Sequence, residues 1–507
     1  MNMYVLCLIA LVPIIWLMVS LGALKMPGHI TCPATLALII VLAVIVWKMP
    51  IIDALTATLE GTALAIWPIM LVIIAAVFTY NLSMYTKSMD IIKKIMTSIT
   101  TDKRILVLIL AWGFGGFLEA IAGFGTAVAI PASIMAALGF DPVFAAIICL
   151  IANTTPTAFG AIGIPVSTLA KVAGLDSGLL SYAVSLQLGA LIAIVPILLV
   201  MITERNVKAI KGVFGISLAS GLAFAIPEVL AAKYMGAELP ALLGSIVCMG
   251  VTILMAKVFY KDTADKNAEK IPFKKGFIAW IPFILVFLII IVTSPLFGPI
   301  NSALSAIKTE VPIYTGPGAK PYVFKWIATP GTLIIIATTI GGLIQGAKFG
   351  EIMKVLWDTT KQMTKSAITI VSIVSLAKVM GYSGMITAIA AVLVKITGGF
   401  YPFIAPVIGA LGTFVTGSDT SANVLFGELQ VKVANSLHLS PYWLAAANTG
   451  GATAGKMISP QSIAVATAAT GIQGTEGKIL NGTLKFCLAY VIILGCIAYF
   501  GGGFAPQ

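Results

Sequence analysis

The chain has 507 residues, of which 59% are hydrophobic and only 10% are charged. Soluble globular domains carry about 25% charged residues, so this composition excludes a secreted or cytosolic globular protein and also a disordered one. The 31 Lys and Arg exceed the 19 Asp and Glu, but they cluster between apolar runs, which is typical of cytoplasmic loops and not of a nucleic-acid surface. We therefore predict an all-α polytopic membrane protein with about 12–14 transmembrane segments and no nucleic-acid partner.

The apolar runs and basic loops predict a topology. Three runs, at 4–24, 32–47 and 61–83, precede the first basic loop, and a run at 482–499 closes the chain. The Lys/Arg-rich loops are residues 87–104, 205–211, 257–275 and 348–365. If all four loops are cytoplasmic, the chain must cross the membrane an even number of times between one basic loop and the next. Two apolar runs lie between the second and third loops, and two lie between the third and fourth. Both termini are then outside the cell membrane, and residues 294–330 form an external loop.

Two stretches rich in Gly, Thr, Asn and Pro interrupt the apolar pattern and resemble each other. The first contains Gly123-Phe-Gly-Thr126 and the second Gly417-Ser-Asp-Thr420. Each continues with an Asn-Thr pair and a proline: Asn448 follows Asn153 by 295 positions, and Pro460 follows Pro165 by the same interval. The similarity predicts an internal repeat with broken or re-entrant helices.

The predicted topology makes this repeat an inverted one. The first unit enters the membrane from the cytoplasm near residue 104, whereas the second enters from outside near residue 401. Inverted-topology repeats are common in secondary transporters with alternating access. We predict that residues 104–203 and 401–507 form the two repeat cores of a moving transport unit, with 1–103 and 204–400 as scaffold.

Polar residues at these interruptions are the candidate substrate site. Gly, Asn, Thr and Pro are poor helix formers, and in hydrocarbon their backbone groups must be satisfied by protein or by a wet cavity. Broken helices would also direct positive N-termini toward an anion. The predicted substrate-binding residues are Gly123, Gly125, Thr126, Asn153, Thr154, Ser418, Thr420, Asn448, Thr449, Lys456, Ser459 and Gln461.

Three charged residues lie in apolar surroundings, where ionisable groups are costly and usually functional. Glu119 and Asp419 are the candidate proton carriers, and Lys456 could neutralise a substrate carboxylate. Two alternatives stay open at this point. Asp419 could instead help to hold a sodium ion, or a carboxylate could pair with Lys456 only to stabilise the fold.

Other functional classes find little support in the sequence. Residues 450–456 match the phosphate-loop pattern G-x-x-x-x-G-K, but Met457 replaces the required Ser or Thr. His29 and His438 are isolated, and the six cysteines lack metal-site spacing. We therefore predict no metal, no cofactor and no enzymatic activity. An ion channel is a remote alternative, because the paired interruptions favour a carrier.

The same residues carry a resemblance that extends along most of the chain. Gly116-Phe-Leu-Glu-Ala-Ile-Ala-Gly-Phe-Gly-Thr126, Thr416-Gly-Ser-Asp-Thr-Ser-Ala-Asn-Val-Leu-Phe-Gly427 and Gly455-Lys-Met-Ile-Ser-Pro-Gln-Ser-Ile-Ala-Val-Ala466 resemble the L-lactate permease family. The resemblance implies a cytoplasmic-membrane carrier that imports lactate, and usually glycolate or related 2-hydroxy monocarboxylates, by proton symport. It also implies a transport domain that moves against a scaffold.

Overall fold

The computed structural model describes residues 2–20, 24, 26–121, 123, 125–204, 206–260, 271–293, 297–472 and 475–506. Most of these residues are helical. Within them, 10 helices are long and apolar enough to cross a membrane, or 11 if the bent pair Pro142–Ala152 and Pro156–Ala173 is one span. Three shorter apolar helices accompany them. The fold is therefore an all-α polytopic membrane protein, as predicted.

The helices of the first half run in chain order to residue 203. They are α1 (Met3–Met18), α2 (Gly28–Ile45), α3 (Ile51–Leu64), α4 (Leu71–Tyr85), α5 (Ser88–Thr97), α6 (Lys103–Val107), α7 (Gly115–Ile121), α8 (Thr126–Ala137), α9 (Pro142–Ala152), α10 (Gly160–Ala173) and α11 (Ser177–Thr203). Two π-helical segments, Ala65–Met70 and Leu108–Phe114, join α3 to α4 and α6 to α7.

The second half adds thirteen helices and one small sheet to the described fold. They are α12 (Phe214–Met235), α13 (Pro240–Phe259), α14 (Phe273–Thr293), α15 (Gly298–Ser305), β1 (Lys308–Val311), β2 (Tyr322–Lys325), α16 (Pro330–Ile344), α17 (Phe349–Gln362), α18 (Thr364–Ser383), α19 (Met385–Thr397), α20 (Tyr401–Thr416), α21 (Asp419–Ser436), α22 (Pro441–Lys456), α23 (Pro460–Thr470) and α24 (Glu476–Phe500). The antiparallel strands β1 and β2 lie within the predicted external loop, with Lys308 opposite Lys325.

The first repeat core begins with a helical hairpin, residues 103–137, which we call hairpin 1. Its two arms reverse direction at Gly123 and Gly125, whose φ values of +59° and +86° suit glycine and few other residues. Lys103 Nζ donates to the carbonyl oxygen of Gly139 over 3.4 Å. Both ends of hairpin 1 therefore lie at the same face of the protein, as expected of a re-entrant hairpin.

A broken helix follows hairpin 1. Helix α9 ends at Ala152, a short 3-10 turn covers Pro156–Phe159, and α10 leaves at an angle of 62°. At the start of α10, Ala161 and Ile162 hold left-handed backbone conformations with φ of +44° and +58°. Such conformations cost L-residues roughly 1–2 kcal/mol each, so the surrounding structure must stabilise this turn.

The second repeat core has the same order of elements. Hairpin 2 (residues 401–436) reverses at Gly417, with φ of +71°, and Tyr401 near one end donates to Gln430 Oε1 on the returning arm. Helices α22 and α23 form its broken helix, and α24 matches α11. The break differs, however: it follows Asn153 directly in the first core but comes only after Lys456, eight residues beyond Asn448, in the second.

The remaining helices pack on two sides of these cores. Helix α18 crosses α2 and α3 closely, since a Cβ on Gly61 would lie 2.4 Å from Ser375 Cα. Helices α12 and α13 instead pack on the first repeat core, where a Cβ on Gly221 of α12 would lie 2.2 Å from the oxygen of Ala193 of α11. Although residues 204–400 are predicted as scaffold, α12 and α13 therefore contact the first repeat core closely.

Candidate functional site

A cavity of about 370 Å³ lies where both repeat cores meet α2 and α18. Its walls include the tips of the two hairpins and the starts of α10 and α23. Four helices thus begin at the cavity, namely α8, α10, α21 and α23. Each helix N-terminus presents backbone N–H groups and a partial positive charge, so the arrangement favours an anion.

The cavity brings together eight of the fourteen predicted site residues. Both glycines at the tip of hairpin 1 line it, together with polar and charged residues of hairpin 2 and the α22–α23 break. The eight lining residues are Gly123, Gly125, Glu119, Ser418, Asp419, Thr420, Lys456 and Gln461. The hairpin tips also touch α23 closely: a Cβ on Gly417 would lie 2.0 Å from Gln461 Oε1.

An ion pair joins the two repeat cores at the cavity. Lys456 Nζ of α22 lies 3.0 Å from Glu119 Oε1 of hairpin 1. Glu119 is only 2% exposed and its Oε2 has no hydrogen-bond partner among the described residues. Gly160 leaves room for this carboxylate, since a Cβ there would lie 2.6 Å from Oε1.

A second buried carboxylate, Asp419, lies close to this pair. Asp419 Oδ1 accepts a hydrogen bond from Thr413 Oγ1 over 3.2 Å, and Oδ2 has no partner among the described residues. The side chain is within electrostatic range of both Lys456 and Glu119. The Lys456 ammonium therefore interacts with two carboxylates, Glu119 and Asp419. Each carboxylate has one oxygen without a partner among the described residues, which could accept a proton or a ligand group.

Asn448 and Thr449 lie outside the cavity lining, in a buried hydrogen-bond chain. Asn448 Oδ1 accepts from Gln430 Nε2 over 3.1 Å, and its Nδ2 donates to Asn423 Oδ1 over 3.0 Å. Thr449 Oγ1 donates to the same Asn423 oxygen, and Asn423 Nδ2 donates to the carbonyl oxygen of Pro165. This chain ties hairpin 2 to α22 and to the broken helix of the first core.

The other four predicted residues also lie outside the cavity lining, and three of them bond to neighbouring groups of the chain. Thr126 Oγ1 donates to the Gly123 oxygen over 2.8 Å, and Thr154 Oγ1 to the Leu150 oxygen over 3.2 Å. Ser459 caps α23. Asn153 is 3% exposed, and its Oδ1 has no partner within the described chain.

Comparison with known proteins identifies the chain's relatives. The family model described as L-lactate permease matches residues 6–501. The chain belongs to the L-lactate permease family. It is 57% identical to an L-lactate permease of Streptococcus iniae over 440 residues, covering 87% of this chain and 93% of the relative. It is also 36% identical to the glycolate permease GlcA of Escherichia coli K12, covering 97% and 94%, and 35% identical to an L-lactate permease of Bacillus subtilis 168, covering 98% and 96%.

The cavity of this L-lactate permease family member also has walls that the sequence patterns do not reveal. Residues of α2 and α18, including His29 and Lys365, line it, although the sequence presents His29 only as an isolated histidine. Thr157, Thr416, Ser421 and Ser462 also contribute polar groups to the lining. These residues lie beside the recognised motifs, but nothing in a single sequence marks which other helices face them.

Sequence reasoning also missed two buried charged sites of this family member. Lys378 Nζ lies 2.8 Å from Glu60 Oε1, which also accepts from Tyr382 Oη over 2.8 Å. Glu228 of α12 is fully buried. The rule that singled out Glu119, a charge within an apolar run, applies equally to Glu228 and Lys378. The phosphate-loop match at 450–456 lies inside the helix α22, so it forms no loop.

Proposed function

We propose that this chain is a secondary active transporter that imports L-lactate, or a related 2-hydroxy monocarboxylate such as glycolate, by proton symport. The names of its relatives support the substrate class. The observation that carries the mechanism is the Lys456–Glu119 ion pair in a cavity where four helices begin. A small carboxylate fits the chemistry of that site, because helix N-termini and an ammonium both attract anions.

The ion pair couples the proton to the anion. In the empty site, the Glu119 carboxylate neutralises Lys456. A proton on Glu119 releases the ammonium, which then neutralises the substrate carboxylate. The empty and fully loaded sites carry the same net charge. In a site that holds only the proton, Asp419 is the remaining counter-charge of Lys456, whereas a site that holds only the anion has one uncompensated buried negative charge. That charge costs several kcal/mol, so the anion crosses rarely without the proton.

Asp419 is the second candidate for the coupling proton. It shares the field of Lys456 and has a free carboxylate oxygen. The same free oxygen, with hydroxyls such as Ser418, could instead contribute to a sodium site, since hard cations prefer oxygen ligands. We favour Glu119 as the proton carrier because its ion pair is the contact that the substrate replaces.

We further propose that the structure represents the state open to the cytoplasm. The cavity extends to Lys365, at the end of the basic loop 348–365. At the other end of α18, a Cβ on Gly381 would lie 2.2 Å from Glu428 Oε2, and Lys432 Nζ donates to Thr387 Oγ1 of α19 over 2.8 Å. These contacts close hairpin 2 against the scaffold on the outer side.

The proposed moving unit comprises the two repeat cores, α6–α11 and α20–α24. Because α12 and α13 pack on α11 and on hairpin 1, we propose that they accompany this unit and that α1–α5 and α14–α19 are the scaffold. Both termini lie outside the cytoplasmic membrane in this proposal. Alternating access then consists of sliding hairpin 2 along α18.

Uptake of labelled L-lactate into proteoliposomes tests the proposed function. Wild type and the variants Glu119→Gln and Glu204→Gln are compared under an inward proton gradient, with and without sodium. Glu204 is 55% exposed at its side chain and serves as a matched control. We expect sodium-independent, gradient-driven uptake that Glu119→Gln loses while lactate exchange continues.

Three other results of this uptake experiment would contradict parts of the proposal. A requirement for sodium would favour sodium-coupled transport, with Asp419 in the ion site, over proton symport. Gradient-driven uptake that survives in Glu119→Gln but is lost in Asp419→Asn would move the proton to Asp419. No lactate or glycolate uptake under either gradient would refute the substrate assignment.

A further inference from the structure

Two basic side chains of the proposed scaffold, His29 of α2 and Lys365 of α18, line the cavity. They lie at the same end of it because α2 and α18 begin side by side, and a Cβ on Gly28 would lie 3.1 Å from Thr369 Cγ2. Lys365 is the last residue of the basic loop 348–365, so this end faces the cytoplasm in the proposed orientation. We call His29 and Lys365 the mouth pair.

The charges that line the cavity are divided unevenly between the proposed moving unit and the proposed scaffold. Both lining carboxylates, Glu119 and Asp419, belong to the repeat cores, as does Lys456. The part of the described lining that α2 and α18 contribute contains the mouth pair and no carboxylate. A substrate anion beside Lys456 therefore shares the cavity with a second wall that is basic and not acidic.

The mouth pair occupies helix positions that disfavour positive charge. His29 is the second residue of α2 and Lys365 the second residue of α18, and neither first turn contains an acidic residue. A cation is unfavourable near a helix N-terminus, because the helix end itself carries a partial positive charge. An anion in the cavity would offset both charges. The placement of the pair is thus better explained by a ligand than by helix stability.

The cavity has room for an anion at the mouth pair as well as at Lys456. Its volume of about 370 Å³ lies in the range of pockets that hold drug-sized ligands, and lactate is much smaller than such ligands. Ser366 and Thr369 add hydroxyl groups to the wall within about one turn of Lys365. His29 offers an N–H donor in either protonation state. These groups form a second set of donors in the same cavity.

We propose that the mouth pair is a second anion subsite, which takes the substrate carboxylate from Lys456 before its release into the cytoplasm. This inference rests on the proposed function and on the proposed sliding of hairpin 2 along α18. Because the mouth pair stays with the scaffold, it lies beside the moving site only in the state open to the cytoplasm. Once the carboxylate has moved to Lys365, Glu119 releases its proton to the cytoplasm and pairs with Lys456 again.

Counterflow of labelled lactate in right-side-out and inside-out membrane vesicles tests the subsite at each face separately. The readout is the half-saturating lactate concentration in inside-out vesicles divided by that in right-side-out vesicles. We expect Lys365→Gln to raise this ratio about two- to fivefold, which is the size of one exposed charge interaction, and Lys365→Arg to keep the wild-type ratio. The control Lys361→Gln removes an exposed charge one turn away, outside the described cavity lining. An unchanged ratio in Lys365→Gln, or an equal rise in Lys361→Gln, would overturn the subsite.

Protection of a cysteine provides a readout that does not need transport. Ser366→Cys places a thiol next to Lys365 in the cavity wall, and we expect lactate to slow its modification by an impermeant maleimide in inside-out vesicles. Adding Lys365→Gln should raise the half-protecting lactate concentration about two- to fivefold. No protection, or the same half-protecting concentration with and without Lys365→Gln, would also overturn the subsite. Failure of the proposed function is distinct, since wild type would then show no lactate counterflow in either orientation.

Discussion

The Lys456–Glu119 pair predicts an asymmetric response to removing its two partners. Lys456→Met leaves a carboxylate that is 2% exposed and whose Oε2 has no partner in the described structure. Removing one partner of a buried ion pair costs about 3–5 kcal/mol. Glu119→Gln leaves the Lys456 ammonium, whose side chain is 13% exposed and which still has Asp419 within range. The expected loss of stability is therefore closer to that of one charged hydrogen bond, about 1.5–3 kcal/mol.

Thermal unfolding of the purified proteins in detergent measures these differences. The double variant Glu119→Gln/Lys456→Met completes a double-mutant cycle. We expect it to be more stable than Lys456→Met alone, because it buries no uncompensated charge. Additive effects of the two substitutions, or a larger loss in Glu119→Gln than in Lys456→Met, would refute an ion pair as the basis of coupling.

Three further substitutions test how the hairpins and the broken helix are held. Gly381→Ala places a Cβ 2.2 Å from Glu428 Oε2, so we expect slower uptake and more outward-facing protein by cysteine accessibility, with recovery in Gly381→Ala/Glu428→Ala. Asn448→Ala removes the donor to Asn423; it should cost about 1–3 kcal/mol in unfolding experiments while lactate affinity stays within a few-fold. Gly163→Ala combines a φ of +72° with a Cβ 2.0 Å from the backbone oxygen of Ala237, so we expect a large loss of folded protein on size-exclusion chromatography. A wild-type yield would contradict the close approach of this turn to the loop between α12 and α13.

The sequence was informative at several positions where the membrane makes a residue costly, although Glu228 and Lys378 were missed. Charge in an apolar run identified Glu119, Asp419 and Lys456, and all three line one cavity. Glycine and threonine clusters identified both hairpin tips, because a chain reversal inside a protein needs residues that tolerate positive φ. The L-lactate permease resemblance, carried by the same residues, is confirmed by the family match.

Equal spacing along the chain did not guarantee equal placement. Asn153 and Asn448 occupy the same interval before Pro165 and Pro460, yet Asn153 ends α9 at the break whereas Asn448 lies within the continuous helix α22. The position of a break depends on which backbone groups the neighbouring helices satisfy, and a single sequence does not contain those contacts. The part of the cavity wall formed by His29 and Lys365 could not be predicted for the same reason.

The division of charges between the two repeats gives the cavity its proposed mechanism. The first core supplies Glu119, and the second supplies Lys456 and Asp419, so the ion pair is also a direct tie between hairpin 1 and α22. When a proton and a monocarboxylate replace that tie, the substrate itself comes to bridge the two cores. A proton alone would break the tie between the two cores and leave Lys456 with Asp419 of its own core, and an anion alone would place a third carboxylate beside two others. Only the pair of ligands restores a compensated bridge, which is why a site built from one lysine and two carboxylates favours symport over the uptake of either ion alone.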